Sequence, residues 1–266
     1  MKRLLIAAVA LLVPLGCVHK PPVARPYAAP SADELATLLA ARASAVRSMN
    51  ARAKATSWLG GERVRATVLL LVERDGHLRF EAEVSLQGTV ATLATDGRVF
   101  ALLDARKNEL SRGPACPANV ASVIRIPLAP ADVAAIVLGD ARRPADAAVS
   151  PDVAWDAERG ADVLELAAPA ETLRVFFARH GADVDVVGAE ALAGGKRRWR
   201  TSYEDFEGTG AARLPTTLRY AEGGGSYDDG VEIKLKDHDL GVAPPAAAFT
   251  IPLQSGVTVK DVGCGG

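Results

Sequence analysis

Two stretches of alternating side chains, joined by an Asp-Gly turn, most strongly limit what this chain can fold into. In the first stretch the even positions are apolar, and polar residues occupy most of the odd ones: Val64, Ala66, Val68, Leu70 and Val72 against Arg65, Thr67 and Glu73. After Asp75-Gly76 the same alternation runs from Leu78 to Val84. A period of two predicts strands with one dry face, and Asp-Gly suits a tight hairpin turn. With a second Asp-Gly at Asp96-Gly97, residues 52–112 are predicted to form an antiparallel meander of five or six strands.

Helices are predicted on both sides of this meander. Ser31 to Glu34 has the form of a capping box, and an apolar stripe then predicts a helix from Ala32 to Met49. Beyond the meander, Pro117–Ile124 and Ala131–Leu138 have the length and the flanking Pro and Gly residues of two short helices. The remaining chain again alternates in seven strand-like segments: 153–157, 162–168, 172–179, 183–189, 197–206, 214–220 and 231–236. The tail segment 249–252 is predicted to lie at a sheet edge.

These elements predict an α+β protein with a curved antiparallel sheet of about 11 strands. Because a sheet of that size tends to curl, we expect an open half-barrel, with the N-terminal helix and the two mid-chain helices covering its concave face. The apolar side of the strands would then line a cavity. Its predicted lining is apolar and dominated by small and medium-sized side chains: Val68, Leu70, Phe80, Ala82, Val84, Val90 and Phe100.

The N-terminus carries the features of an export signal. Lys2 and Arg3 precede an apolar run from Leu4 to Leu15, which is shorter than the roughly 18 residues that a membrane-spanning helix needs. The run ends in Leu15-Gly16-Cys17, which resembles a bacterial lipobox. That resemblance implies a signal peptide at 1–16 and a Cys17 carrying a diacylglycerol and an N-acyl chain. The alternative is an ordinary signal peptide with an incidental cysteine.

Four prolines between His19 and Pro30 favour an extended tether over residues 17–30, followed by one domain at 31–266. Removal of Lys2 and Arg3 lowers the 31 basic side chains to 29, against 32 acidic ones, and this net charge of about −3 argues against a nucleic-acid partner. Cys116 and Cys264 remain as an even pair in an oxidising compartment. They are a candidate disulfide, with two free thiols as the alternative.

The sequence offers no convincing catalytic or metal-binding pattern, so we expect no enzyme, cofactor or metal site. The four histidines, at positions 19, 77, 180 and 238, lack ligand spacing. Gly208-Thr209-Gly210 lacks the third glycine of a nucleotide-binding loop, since Arg213 occupies that position. The acidic residues at 228, 229, 237 and 239 lack the alternating order of a calcium loop and are better explained as turn residues.

Three segments resemble the LolA/LolB superfamily of lipoprotein-localisation factors. They are the strand end and loop at 84–90, the strand pair formed by 213–220 and 231–236, and the tail at 244–252. With the lipobox and the first helix, the resemblance covers most of the mature domain. It implies an open half-barrel whose cavity accepts the acyl chains of a lipoprotein. Val18 is not the Asp that commonly retains such proteins at the inner membrane, which implies an anchor on the periplasmic face of the outer membrane.

The resemblance also implies partners and one membrane-contacting residue. The partners would be acylated lipoproteins or lipid, and a periplasmic LolA-like carrier. Leu86 matches the leucine at the tip of the receptor's membrane-inserting loop, although the loop here reads Ser-Leu-Gln-Gly where the family commonly has Pro-Leu-Gly. The alternative for Leu86 is an ordinary hairpin-tip residue. The alternative for the whole chain is a structural or assembly lipoprotein that uses the same fold to bind another envelope protein.

Overall fold

The structure, a computed structural model, describes residues 23–59, 62–84 and 87–264. In these residues a single open sheet of 15 strands packs its apolar face against three α-helices. The helices are α1 (Ala32–Ala45), α2 (Pro117–Ile124) and α3 (Pro130–Val137). The strands are β1 (Ser48–Leu59), β2 (Glu62–Glu73), β3 (His77–Val84), β4 (Gly88–Asp96), β5 (Val99–Asp104), β6 (Glu109–Pro114), β7 (Ala148–Val149), β8 (Ala154–Asp156), β9 (Ala161–Ala167), β10 (Thr172–His180), β11 (Asp183–Ala193), β12 (Lys196–Glu207), β13 (Leu214–Glu222), β14 (Val231–Leu240) and β15 (Thr258–Asp261).

The strand order is β15-β6-β5-β4-β3-β2-β1-β14-β13-β12-β11-β10-β9-β7, and β8 also pairs with β9. Among the described residues every paired strand is antiparallel to its neighbour except β15, which runs parallel to β6. The predicted α+β class with an open antiparallel sheet is confirmed. The strand count exceeds the predicted 11 partly because the short β7 and β15 were not predicted as separate strands, whereas β8 matches the predicted segment 153–157.

The first helix is shorter than predicted. Ser31 caps α1 as expected: its hydroxyl accepts from the Glu34 amide at 3.2 Å, and the Glu34 carboxylate accepts from the Ser31 amide at 2.7 Å. The helix ends at Ala45, and Ser48 already begins β1, the central strand between β2 and β14. Met49, predicted to close the helix, therefore lies in a strand. Hydrogen bonding of β1 to two neighbouring strands overrides the apolar stripe that continues from α1 through Val46 and Met49.

The Asp-Gly turns form where they are predicted. Gly76 adopts φ 102°, and a Cβ there would lie 3.0 Å from the Ala131 amide at the start of α3. Glycine thus lets the β2–β3 turn both reverse direction and approach the helix closely. The prediction for the tail is only partly right, because Phe249 is buried in a short 3₁₀ turn and the edge strand is β15.

The part of the predicted tether from Val23 to Tyr27 is bound to the domain. The Val23 amide donates to the Ala157 carbonyl at 2.8 Å, and the Trp155 indole donates to the Val23 carbonyl at 2.7 Å. Arg25 and Tyr27 both reach the buried Asp162 carboxylate, at 2.8 and 3.0 Å. We call residues 23–27 the strap. The predicted signal peptide and Cys17 lie outside the described residues, as does Leu86.

None of the described helices is long and apolar enough to cross a membrane.

Candidate functional site

An apolar groove lies on the helix-covered side of four central strands. Its volume is about 160 Å³, and the described residues that line it include no charged side chain. The floor comes from β14, β1, β2 and β3, and α2 forms the roof: Ala55, Thr56, Ser57, Val64, Ala66, Val68, Leu70, Phe80, Ala82, Val231 and Ile233 below, with Val123 and Ile124 above. Val64 at the strand ends is 45% exposed, so the groove opens there to solvent.

Small side chains create this space. Ala55 pairs with Ala66 across β1 and β2, and Ala82 lies on β3 beside them. Larger residues at these positions would fill the gap between the sheet and α2, as they do elsewhere on the same face, where Phe100, Leu93 and Leu78 are fully buried. The groove is therefore the place where the concave face is left unfilled.

The seven predicted lining residues fall into different environments. Val68, Leu70, Phe80 and Ala82 line the groove. Phe100 is only 2% exposed and belongs to the packed core, away from the groove. Val84 lies beside a polar depression on the outer face of the sheet, next to a register shift at Ala82/Glu83. Val90 is half-buried and does not line the groove. The strand period gave the inner side of the sheet correctly for Val68, Leu70, Phe80, Ala82 and Phe100, but it could not foresee the register shift before Val84 or show where the helices fill the space.

The sequence analysis predicted that α2 covers the sheet, but it named no lining residue from β14 or α2. Val231 and Ile233 alternate with Glu232 and Lys234, which was a signal for a one-sided strand. Their neighbours in space depend on β14 pairing with β1, a contact between segments about 180 residues apart. Long-range pairing of this kind has no local signature in the sequence.

The roof helix α2 is held at its first turn. Cys116 is the residue before the helix and forms a disulfide with Cys264, with the two Cα atoms 5.9 Å apart. Pro117 occupies the first turn, where its missing N–H costs nothing. At the other end Arg125 adopts φ 58° and closes the helix, and Ile124 contacts the groove. The disulfide thus fixes the end of α2 opposite its groove-contacting turn.

A buried polar network attaches α1 and the end of α3 to the sheet. Arg42 on α1 donates to the carbonyl of Gly139 at 3.1 Å and to that of Leu138 at 3.0 Å, and also to the carbonyl of Arg213. Burial lowers the pKa of Arg42, although the nearby Asp140 carboxylate acts in the opposite direction. The hydroxyl of Tyr203 donates to the Asp140 carbonyl at 2.7 Å, and burial raises the Tyr203 pKa. These groups hold the helices in place and do not line the groove.

The other candidate residues lie away from the groove. His77 is 2.6 Å from Asp75 and 3.5 Å from Glu73 at the β2–β3 turn, a cluster that the sequence analysis did not single out. The His77 ring also packs on Phe249, with ring centroids 5.1 Å apart. Asp75 is exposed, so turn geometry and packing account for this cluster.

Comparison with solved structures gives the fold. A LolA superfamily protein from Nitrosomonas europaea matches with a TM-score of 0.57 and 13% identity over 84% of this chain and 99% of that one. A DUF1329 family protein from Desulfovibrio piger matches with a TM-score of 0.55 and 10% identity, over 82% and 97% of the two chains. No protein-family model and no curated protein matches the sequence. The chain has a LolA/LolB-like fold, as the sequence motifs predict, and similarity at this level shows the fold alone.

Proposed function

We propose that this chain is a LolB-like lipoprotein of the outer membrane, which binds acyl chains of other lipoproteins and helps to insert them there. The observation that supports it is the uncharged groove between α2 and the central strands, open at its Val64 end. An apolar concavity without charged groups favours a hydrocarbon ligand and gives no group for acid-base catalysis, so the proposed activity is binding.

The size of the groove determines how binding would proceed. Its 160 Å³ holds about five methylene groups, if each takes a volume similar to the roughly 30 Å³ of a water molecule. Burial of five methylenes is worth about 4 kcal/mol, which corresponds to a dissociation constant near 1 mM. A whole acyl chain has about three times as many methylene groups to bury. Tight binding therefore requires the groove to lengthen beneath its roof.

The roof is the part of the site that can move at low cost. Helix α2 has eight residues, too few for a stable helix on its own, so packing holds it in place. Only Val120 and Ile124 of this helix are buried among the described residues. Because the disulfide fixes the first turn, we propose that the Ile124 end swings away from the sheet and lets the chain advance.

The proposed location follows from the sequence of the N-terminus. An acylated Cys17 would anchor the chain to the outer membrane, and a periplasmic LolA-like carrier would deliver the lipoproteins. The bound strap leaves residues 18–22 as the connection between Cys17 and the domain, and the six steps from Cys17 to Val23 span at most about 21 Å at about 3.5 Å each. The domain would therefore stay close to the membrane surface.

A groove-filling substitution tests the binding proposal. In Ala66→Phe the ring occupies the groove, whereas Thr67→Phe places the same ring one residue further on the opposite face of β2. We expect Ala66→Phe to abolish binding of a fluorophore-labelled palmitate in solution and to remove co-purifying lipid detected by mass spectrometry. Thr67→Phe should keep both. Equal binding by the two variants would contradict the proposal.

Depletion in cells tests the cellular role. Loss of the protein should leave other lipoproteins in the inner-membrane or soluble fractions after membrane separation. Normal sorting would contradict a receptor role while leaving lipid binding intact. The alternative, an assembly lipoprotein that binds one envelope protein, is favoured by the extent to which helices fill the concave face. Cross-linking in intact cells separates the two, because a receptor traps diverse lipoproteins and an assembly factor traps one stable partner.

A further inference from the structure

The hairpin between β1 and β2 projects beyond its neighbours at the mouth of the groove. The pairing of β1 with β14 ends at Ser57, and that of β2 with β3 ends at Thr67, so residues 62–66 have no partner on the β3 side among the described residues. At about 3.3 Å per residue the unpaired residues of β2 extend roughly 16 Å past Thr67, the last residue that pairs with β3. We call residues 57–59 and 62–66 the projecting hairpin. Its Ser57 and Val64, which pair directly, line the groove.

The projecting hairpin combines an aromatic ring, an exposed apolar side chain and basic groups. Trp58 is half-buried, and the Arg63 guanidinium lies over its ring at 5.4 Å. Val64 on the next position is 45% exposed. The outer face stays basic beyond this pair, because it also carries Arg65 on β2 and Lys54 on β1. Tryptophan next to arginine, with an apolar side chain beside them, is the composition of segments that lie at a membrane interface.

The basic groups of this surface have no ion-pair partner in the part of the chain that the structure describes. Of the carboxylates in the described part of the chain, none lies within ion-pair distance of Lys54, Arg63 or Arg65. The two acidic residues of the same depression are already paired, Glu83 with Arg52 at 2.6 Å and Glu232 with Arg219 at 3.1 Å. The exposed Glu62 of the hairpin offsets one of the three cations, so Lys54, Arg63 and Arg65 leave this surface with a net charge of about +2, which attracts anionic groups.

We propose that the projecting hairpin is a docking element for a bilayer that carries anionic phospholipid headgroups. Arg63 and Arg65 bind the phosphates, Trp58 settles at the headgroup level, and Val64 contacts the outermost methylenes. Docking in this way brings the mouth of the groove to the membrane surface, so that a hydrocarbon chain passes between groove and bilayer without crossing water. The proposal goes beyond acyl binding and does not depend on it, since the hairpin docks whether the groove is filled or empty.

Charge neutralisation on the hairpin provides the test. The chain from Val18 to Gly266, which contains all of the described structure, is mixed with vesicles of phosphatidylcholine alone or with phosphatidylglycerol, and bound protein is measured by co-sedimentation. We expect binding to the anionic vesicles that weakens as salt is raised. Each basic side chain at such a surface contributes about fivefold, so Arg63→Gln/Arg65→Gln should bind about 25-fold more weakly. Both side chains are exposed, so the variant should fold normally.

A matched variant removes the same charge elsewhere. Arg47 and Arg98 are exposed and lie at the opposite ends of the strands, before β1 and in the β4–β5 turn. Arg47→Gln/Arg98→Gln should keep most of the binding. An equal loss in both double variants would overturn the proposal, because net charge alone would then explain the effect.

Two further measurements distinguish a membrane from an acidic protein partner. The tryptophan emission of the wild type should shift to shorter wavelength on anionic vesicles, and Trp58→Phe should lose this shift. Binding to polyglutamate without binding to anionic vesicles would overturn the proposal in favour of an acidic polypeptide. Equal binding to neutral and anionic vesicles would also overturn it, because charge would then play no part.

Discussion

Replacement of Arg42 by methionine should be among the most damaging single changes in this protein. The Arg42 side chain is 6% exposed and donates to three backbone carbonyls, those of Leu138, Gly139 and Arg213. Methionine keeps much of the aliphatic length and donates nothing. Each buried carbonyl left without a partner costs about 1–3 kcal/mol, and partial relaxation brings the expected loss in the free energy of unfolding to about 3–5 kcal/mol. The free energy of unfolding of a domain is about 5–15 kcal/mol in total, so this loss is a large fraction of it.

Urea unfolding followed by circular dichroism measures the effect. With a slope of about 3 kcal/mol per molar urea, a loss of 4 kcal/mol moves the midpoint down by about 1.3 M. The control is Arg47→Met, at an exposed arginine five residues away, which should change stability by less than about 0.5 kcal/mol. Arg42→Lys should fall between the two, because one ammonium group cannot match the fork of a guanidinium. Equal midpoints for Arg42→Met and Arg47→Met would refute the assigned role of these hydrogen bonds.

Two other changes test the strap and the disulfide. Asp162→Ala removes the acceptor shared by Arg25 and Tyr27. Amide hydrogen exchange at residues 23–27 should then become much faster, while the core strands stay protected. Unchanged exchange at residues 23–27 would mean that the backbone contacts alone hold the strap. Reduction of the bond between Cys116 and Cys264, which are 148 residues apart, should lower stability by up to about 5 kcal/mol on a chain-entropy estimate. A Cys116→Ser/Cys264→Ser variant should reproduce that loss and become insensitive to reductant, and a melting temperature unaffected by reductant in the wild type would contradict the estimate.

Local sequence determined most of the secondary structure, for reasons that act over a few residues. Alternating side chains gave the sides of β2 and β3, Asp-Gly gave the turns at Gly76 and Gly97, and the capping box gave the start of α1. Proline at the first turn located α2 and α3 to within one residue. The main local error was at 46–49, where Val46 and Met49 continue the apolar stripe of α1 and were predicted to close that helix, although β1 already begins at Ser48.

Tertiary structure decided which of the apolar strand residues face empty space. Val68 and Phe100 have the same pattern in sequence, yet the first borders the groove and the second is buried in the filled core, because α2 and α3 cover different parts of the sheet. The position of β14 beside β1 and the attachment of the strap to β8 and β9 likewise depend on contacts between distant segments. The period of a strand determines the face of each side chain, whereas only the packing of helices on that face determines whether any room remains for a ligand.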